Sequence, residues 1–221
     1  MPIATATNYL AAIAHIPPGA SLRVDGVPWD DYEQLMYDLR ESSAVQVFYD
    51  QGKMEIMSPL PAHEKPVKVL HTLIIALRDA LDIDIESLGT STLKDEMTNK
   101  GAEPDDSFYV QNAAAVIGKE DLNLQHGPPP DIVIESDLTS SSLDRFAIYA
   151  GLGVPEIWRY ENNKLEINVL ENGKYVASEI SPTFPNLSIV EAISQYCEQS
   201  QTVGTSQTLR LFRKWVREQI T

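Results

Sequence analysis

The sequence of 221 residues is poor in cysteine and in long apolar runs, and each shortage excludes a class of protein. The single cysteine, Cys197, cannot form a disulfide within the chain, so we exclude a disulfide-held fold and expect a reducing, cytoplasmic location. No apolar run approaches the roughly 20 residues that a membrane span needs, so we expect no membrane partner. The first residues carry no basic flank before an apolar stretch, so we also expect no secretory signal.

Basic residues are scarce as well, because 17 lysines and arginines stand against 32 acidic residues and the formal charge is −15. A surface of that sign repels phosphate on average, which argues against nonspecific coating of nucleic acid. It still allows a bound cation, or a local basic patch that contacts nucleic acid. The four histidines show no spacing typical of a metal site.

The hydrophobic pattern predicts strands that alternate with helices in the middle of the chain. Residues 45–57 alternate around Asp50-Gln51-Gly52 and predict a hairpin, whereas the apolar spacing of residues 62–81 predicts a long helix. Residues 93–101 are polar and charged and predict a loop. Two helices are predicted near residues 189–198 and 206–219. We therefore expect an α/β fold in which helices flank a mixed sheet.

Three acidic residues stand at the ends of predicted strands. Asp105 precedes the apolar residues 108–110, while Asp131 and Glu135 bracket the strand 132–134 and point to the same face. Converging carboxylates repel each other, and Mg²⁺ or Mn²⁺, which prefer oxygen ligands, would relieve that repulsion. The spacing alone leaves open that these acids are solvated or cap a following turn.

A series of motifs resembles one known family. The series is Pro104-Asp105, then Asp131-Ile132-Val133-Ile134-Glu135, then Ser140-Ser141-Ser142-Leu143-Asp144-Arg145 with Tyr149, and finally Gly153-Val154-Pro155-Glu156-Ile157-Trp158. Together these residues resemble the Uma-type, restriction-endonuclease-like family within the PD-(D/E)XK nuclease superfamily. The resemblance implies a restriction-endonuclease-like domain over residues 30–187, with residues 1–29 as an N-terminal extension and residues 188–221 as C-terminal helices packed on it.

The resemblance also implies an activity, which is metal-dependent hydrolysis of phosphodiester bonds with Mg²⁺ or Mn²⁺ as the cofactor. Nucleic acid, expected to be DNA, is the implied substrate, and a homodimer is the implied assembly. Asp105 and Glu135 match the acids of the superfamily motif, and Asp131 matches the family's own Pro-Asp pair. Glu64 resembles a first-helix acid that serves as an extra metal ligand, although the helix dipole favours an acid there in any case.

The lysine of the superfamily motif is missing. It is expected two residues after Glu135, where this chain has Asp137. Relatives of this kind carry the basic group on the following helix, where this chain has Arg145, one helical turn before Tyr149 and on the same face. An arginine can clamp phosphate and stabilise negative charge, but it does not readily deprotonate water because its pKa stays above about 12.

Two functions therefore remain open. In the first, a bound metal activates water, and Asp105, Glu135, Asp131 and Arg145 form the catalytic site of an endonuclease. In the second, the chain is a nuclease-derived scaffold that binds a partner protein or nucleic acid without cutting it. Lys94 and Lys100 are further candidates for phosphate contact.

Overall fold

The computed structural model describes residues 6–39, 45–59, 61–119, 124–136 and 142–220, without the side chains of residues 6–8 and 61–64. Its helices are α1 (Ala6–Ile13), α2 (Trp29–Leu39), α3 (Pro61–Leu81), α4 (Ala113–Val116), α5 (Arg145–Gly151), α6 (Ile189–Val203) and α7 (Thr205–Gln219). Its strands are β1 (Ser21–Asp25), β2 (Gln46–Asp50), β3 (Lys53–Met57), β4 (Glu86–Ser87), β5 (Leu93–Asp95), β6 (Lys100–Ala102), β7 (Asp106–Tyr109), β8 (Ile132–Glu135), β9 (Glu156–Glu161), β10 (Lys164–Glu171) and β11 (Lys174–Ser178).

The strands form two sheets. The first has the order β1-β3-β2-β6-β5 with antiparallel neighbours, and the second has the order β11-β10-β9-β8-β7-β4. In the second sheet β8 and β9 run parallel, whereas β7 and β8 run antiparallel, so the sheet is mixed. The predicted α/β class with a mixed sheet and flanking helices is therefore confirmed.

Helix α3 covers one face of the second sheet. Its side chains at helical spacing, Leu70, Leu73, Ile74 and Leu77, are fully buried and belong to one core cluster with Ile134 and other residues of the sheet. Burying each such side chain contributes about 1.5–3 kcal/mol, so this apolar stripe is the reason the long helix lies on the sheet.

The opposite face of the second sheet packs against α5 and the first sheet. Val133 and Ile157 share a core cluster there with Phe48 of β2 and with Ile148 and Tyr149 of α5. Successive residues of a strand point to opposite faces, so residue 135 faces the same side as residue 133. The acid that ends β8 is consequently turned toward α5 and the first sheet.

Helix α5 is bounded by residues that favour the start and the end of a helix. The side chain of the N-cap residue Asp144 accepts a hydrogen bond of 3.1 Å from the backbone N–H of Ala147. Gly153, with φ of +76°, follows the helix in the left-handed conformation that glycine adopts readily. Gly151 permits a close approach, because a Cβ at that position would lie 2.3 Å from the Cδ atom of Lys100 on β6.

The two predicted C-terminal helices are present as α6 and α7. Phe212 and Val216 of α7 are fully buried in the core cluster that contains α3. On the flank of α7, an Nη atom of Arg213 lies 3.1 Å from the carboxylate of Asp79 at the end of α3. Arg213 thus contacts an acid of the protein body, while Arg210 on the same helix is exposed.

The prediction of a loop over residues 93–101 is wrong, because β5 and β6 form a hairpin that pairs with β2. Polar side chains are compatible with these strands because they form contacts with other elements. The Nζ atom of Lys94, for example, lies 2.8 Å from the carboxylate of Glu33. Residues 21–25, within the predicted N-terminal extension, pair with β3. Across the described residues, no helix combines the length and apolar composition needed to cross a membrane.

Candidate active site

The register of β7 and β8 brings Asp105 and Glu135 together. The ladder ends at the pair Asp106 and Ile134, and Asp105 and Glu135 are the next residues along the two strands. The two side chains are close enough for the negative charge of Asp105 to act on the carboxyl group of Glu135. The backbone N–H of Asp105 also bonds the carbonyl oxygen of Ile134 at 3.1 Å. Two distant parts of the chain therefore deliver carboxylates to one place.

Asp105 is held by three hydrogen bonds and remains partly exposed. Its Oδ2 atom accepts bonds from the backbone N–H of Ser136 at 2.7 Å and from the Ser136 hydroxyl at 2.5 Å. Its Oδ1 atom accepts a bond of 2.8 Å from the side-chain amide of Gln46 on β2. The carboxylate is thus oriented from both sheets.

Glu135 is fully buried between two side chains of α5. Its Oε2 atom lies 2.6 Å from Nη1 of Arg145, and its Oε1 atom accepts a hydrogen bond from the hydroxyl of Tyr149. Burial raises the pKa of Glu135 to about 7; the guanidinium opposes that shift, and the negative charge of Asp105 adds to it. The predicted shared face of Arg145 and Tyr149 therefore meets Glu135.

Arg145 is almost as buried as its partner, with 3% of its surface exposed. Its guanidinium carbon lies 3.9 Å from the centroid of the Phe48 ring, and Nη2 lies 3.4 Å from the sulfur of Met57. Burial alone would lower the pKa of Arg145, but the charges around it, led by Glu135 and including Glu55, raise that pKa. The guanidinium therefore stays charged inside the protein.

Two further acids lie near these residues, the buried Glu55 and the half-buried Glu103, and neither was predicted from the sequence. Glu55 on β3 is fully buried and accepts a bond of 2.9 Å from the backbone N–H of Ser142. Glu103 accepts bonds from the backbone N–H of Val47 at 2.7 Å and from the hydroxyl of Thr92 at 3.0 Å. Burial raises the pKa of Glu103 to about 7. The sequence did contain an indication of the buried Glu55, because this acid stands between the apolar residues Met54 and Ile56 of β3.

Asp131 lies at the other end of β8 from Glu135. Four residues of a strand span about 13 Å, so the two carboxylates share a face without meeting. Asp131 instead accepts bonds from the backbone N–H groups of Val110, Gln111 and Asn112, at 2.7, 3.0 and 3.4 Å. The structure therefore does not bring Asp131, a predicted metal ligand, to the other acids. Its contacts are those of the alternative interpretation, in which the carboxylate caps a turn.

The other residues that the sequence suggested for the site either lie away from Glu135 or fall outside the described part of the chain. Glu64 is in the first turn of α3, but its side chain is outside the described part of the chain, as is Asp137 at the position of the motif lysine. Lys94 and Lys100 each contact a carboxylate, Glu33 at 2.8 Å and Asp50 at 2.5 Å. A cleft of about 260 Å³ contains none of the predicted acids and is lined by Trp29, Asp30, Glu33, Lys94, Glu96 and Gln125.

The residues at the site fit a hard divalent cation in their donor chemistry. Asp105 and Glu135 supply oxygen atoms, and a cation would offset the mutual repulsion that contributes to the raised pKa of Glu135. Within the described ranges, no group of three or more His, Cys, Asp or Glu side chains is arranged to hold a metal. Further ligands would therefore come from other oxygen groups or from water.

Comparison with protein families matches residues 29–200 to the Uma2 family, whose description is "Putative restriction endonuclease". Among solved structures, the chain is similar to the crystal structure of "a putative nuclease belonging to DUF820 from Anabaena variabilis ATCC 29413". That similarity has 13% sequence identity and a TM-score of 0.46, and it covers 72% of this chain and 85% of that chain. A comparison with curated proteins gave no match. Because the family match spans well over half of its length, the chain belongs to the Uma2 family of restriction-endonuclease-like proteins.

Proposed function

We propose that the protein is a metal-dependent endonuclease in which Asp105 and Glu135 hold Mg²⁺ or Mn²⁺ at the phosphodiester bond. The observation that carries this proposal is the end of the β7–β8 ladder, where Asp105 and Glu135 adjoin the paired residues Asp106 and Ile134 and the charge of Asp105 acts on Glu135. A divalent cation, when bound there, supplies Lewis-acid catalysis and lowers the pKa of water to generate the nucleophile.

The neighbouring side chains orient the two carboxylates. Ser136 holds Asp105 through its backbone N–H and its hydroxyl, while Tyr149 and Arg145 each hold one oxygen of Glu135. Because Arg145 is 3% exposed, we assign it to positioning: its charge opposes the rise in the pKa of Glu135 that burial causes, and its hydrogen bond orients that carboxylate. A direct contact between Arg145 and the scissile phosphate stays a prediction.

The family description supports DNA as the substrate, because restriction endonucleases cut DNA. Cutting both strands of a duplex needs two sites, and a homodimer supplies them. Asp131 is left out of the proposed metal site because its carboxylate binds the backbone of residues 110–112.

The test is cleavage of supercoiled plasmid DNA, and of a labelled duplex RNA, with Mg²⁺, Mn²⁺ or EDTA. We expect the wild type to nick the plasmid with a divalent cation and to be inactive in EDTA. Glu135→Gln should abolish cleavage, whereas the control Glu171→Gln, at an exposed carboxylate on β10, should leave it intact. Cleavage by Glu135→Gln at the wild-type rate would contradict the assignment.

One observation favours the scaffold function as a second candidate. Both oxygens of the fully buried Glu135 already accept hydrogen bonds from Arg145 and Tyr149, so a cation must share them. For a scaffold we expect no cleavage with any divalent cation and no change in melting temperature on adding Mn²⁺, with binding of a partner retained. A true metal site raises the stability by mass action, by about 2.7 kcal/mol at a hundredfold excess over Kd.

A further inference from the structure

The side chain of Gln46 connects the two sheets at the proposed metal site. Gln46 begins β2 in the first sheet, and its amide nitrogen donates the 2.8 Å hydrogen bond to Oδ1 of Asp105 beside the second sheet. Gln46 is 7% exposed, so its amide group is held inside the protein against a carboxylate that is itself partly exposed. The amide group is therefore fixed next to a carboxylate that is proposed to bind a cation.

The other end of the same amide has no partner. The oxygen Oε1 of Gln46 is buried, and no hydrogen-bond donor reaches it within the described part of the chain. Leaving a buried polar atom unsatisfied destabilises a folded protein, and such groups are few in native proteins. Turning the amide over would set its oxygen against the carboxylate of Asp105, so the repulsion between two acceptors holds the present orientation.

A divalent cation removes the reason for that orientation. Mg²⁺ binds its ligands at about 2.1 Å in octahedral geometry, so neighbouring ligand oxygens lie about 3 Å apart. The amide nitrogen of Gln46 is 2.8 Å from Oδ1 of Asp105, close to that spacing. A half-turn of the amide would bring its oxygen to the place of its nitrogen, with the cation beside both oxygens.

The composition of the site leaves room for such a ligand. The described residues offer two converging carboxylates but no trio of charged or histidine ligands, whereas Mg²⁺ and Mn²⁺ take six ligands. A neutral amide oxygen adds coordination without adding a third negative charge to a site where Asp105 already raises the pKa of Glu135. Gln46 is the described side chain that contacts Asp105 and also has an unsatisfied oxygen.

We propose that Gln46 is a third protein ligand of this site, whose uncharged side-chain oxygen binds the cation held by Asp105 and Glu135. The inference rests on the proposed function, because it requires that these two acids bind a divalent cation. It assigns to β2, and thus to the first sheet, a share of a site otherwise built from the second sheet and α5.

The test measures Mn²⁺ binding directly, by electron paramagnetic resonance of free Mn²⁺ and by the Mn²⁺-induced rise in melting temperature. Gln46→Met keeps the length of the side chain but has neither the oxygen nor the amide donor. Gln199→Met is a matched control, since Gln199 on α6 also has a buried side-chain oxygen without a partner. We expect Gln46→Met to weaken Mn²⁺ binding by about tenfold or more and Gln199→Met to leave it unchanged.

Gln46→Glu keeps the test decisive if Gln46→Met does not fold. Without metal, the added carboxylate faces Asp105, so we expect a lower melting temperature than that of the wild type. Saturating Mn²⁺ should then raise the melting temperature of Gln46→Glu by more than it raises that of the wild type. If the wild type binds Mn²⁺ and Gln46→Met binds it with the same affinity, this inference alone is overturned. The same holds if Mn²⁺ raises the melting temperatures of Gln46→Glu and the wild type equally. A wild type that does not bind Mn²⁺ overturns the proposed function together with it.

Discussion

Replacing Arg145 by methionine removes the positive charge beside Glu135 while keeping much of the side-chain volume. Glu135 is fully buried and would lose its partner at 2.6 Å. Removing one partner of a buried ion pair costs about 3–5 kcal/mol, because the remaining charge is left without compensation. The loss falls at the upper end of that range because Glu55 also loses a nearby positive charge.

Replacing Glu135, the partner of Arg145, is expected to lower the free energy of unfolding by less. Glu135→Gln leaves Arg145 charged, but Glu55 still acts on the guanidinium and the amide oxygen can still accept from Tyr149. We therefore expect Glu135→Gln to cost about 1–3 kcal/mol. The double variant should cost less than the sum of the two, with an interaction energy of about 2 kcal/mol or more.

Urea unfolding followed by tryptophan fluorescence measures these free energies. A control is Arg213→Met, which removes a half-exposed pair with Asp79 and should cost less than about 1 kcal/mol. Lowering the pH below 7, where Glu135 takes up a proton, should reduce the cost of Arg145→Met. Additive costs for Arg145 and Glu135, together with no dependence of the Arg145→Met cost on pH, would refute a buried ion pair.

Two further predictions concern carboxylates near the site. Glu103 binds its proton more tightly in the folded than in the unfolded protein, because its pKa rises from 4.5 to about 7. Its contribution to the free energy of unfolding therefore falls as the pH rises through that interval, by up to about 3 kcal/mol. Glu103→Gln should flatten the decline measured by urea unfolding between pH 5 and pH 8, and an unchanged slope would contradict the shift. Asp131→Asn should cost about 1–3 kcal/mol through the loss of charged hydrogen bonds to residues 110–112, while the Kd for Mn²⁺ stays at the wild-type value. A weaker Mn²⁺ affinity in Asp131→Asn would return that acid to the metal site.

The elements that depend on local pattern were predictable from the sequence. The stripe of α3, the hairpin around Asp50-Gln51-Gly52 and the two C-terminal helices all lie close to where periodicity and turn residues place them. The hairpin of β5 and β6 was not predictable, because its polar side chains have no alternation of apolar residues. Pairing of its backbone with β2 and contacts such as Lys94 to Glu33 stabilise it, and both are long-range.

The sequence by itself determined which residue types are available at the site: oxygen donors at strand ends, an arginine in place of the motif lysine, and a tyrosine one turn later. Only the tertiary structure decided which of them meet. Asp131 and Glu135 are neighbours in sequence and share a face, yet a strand extends by about 3.3 Å per residue and separates them. Asp105 is far from Glu135 in sequence, but the pairing of β7 with β8 brings the two to the same end of the ladder, and the packing of β2 brings Gln46 to Asp105. Register and packing follow from the burial of both faces of the sheet, which no local stretch of sequence specifies.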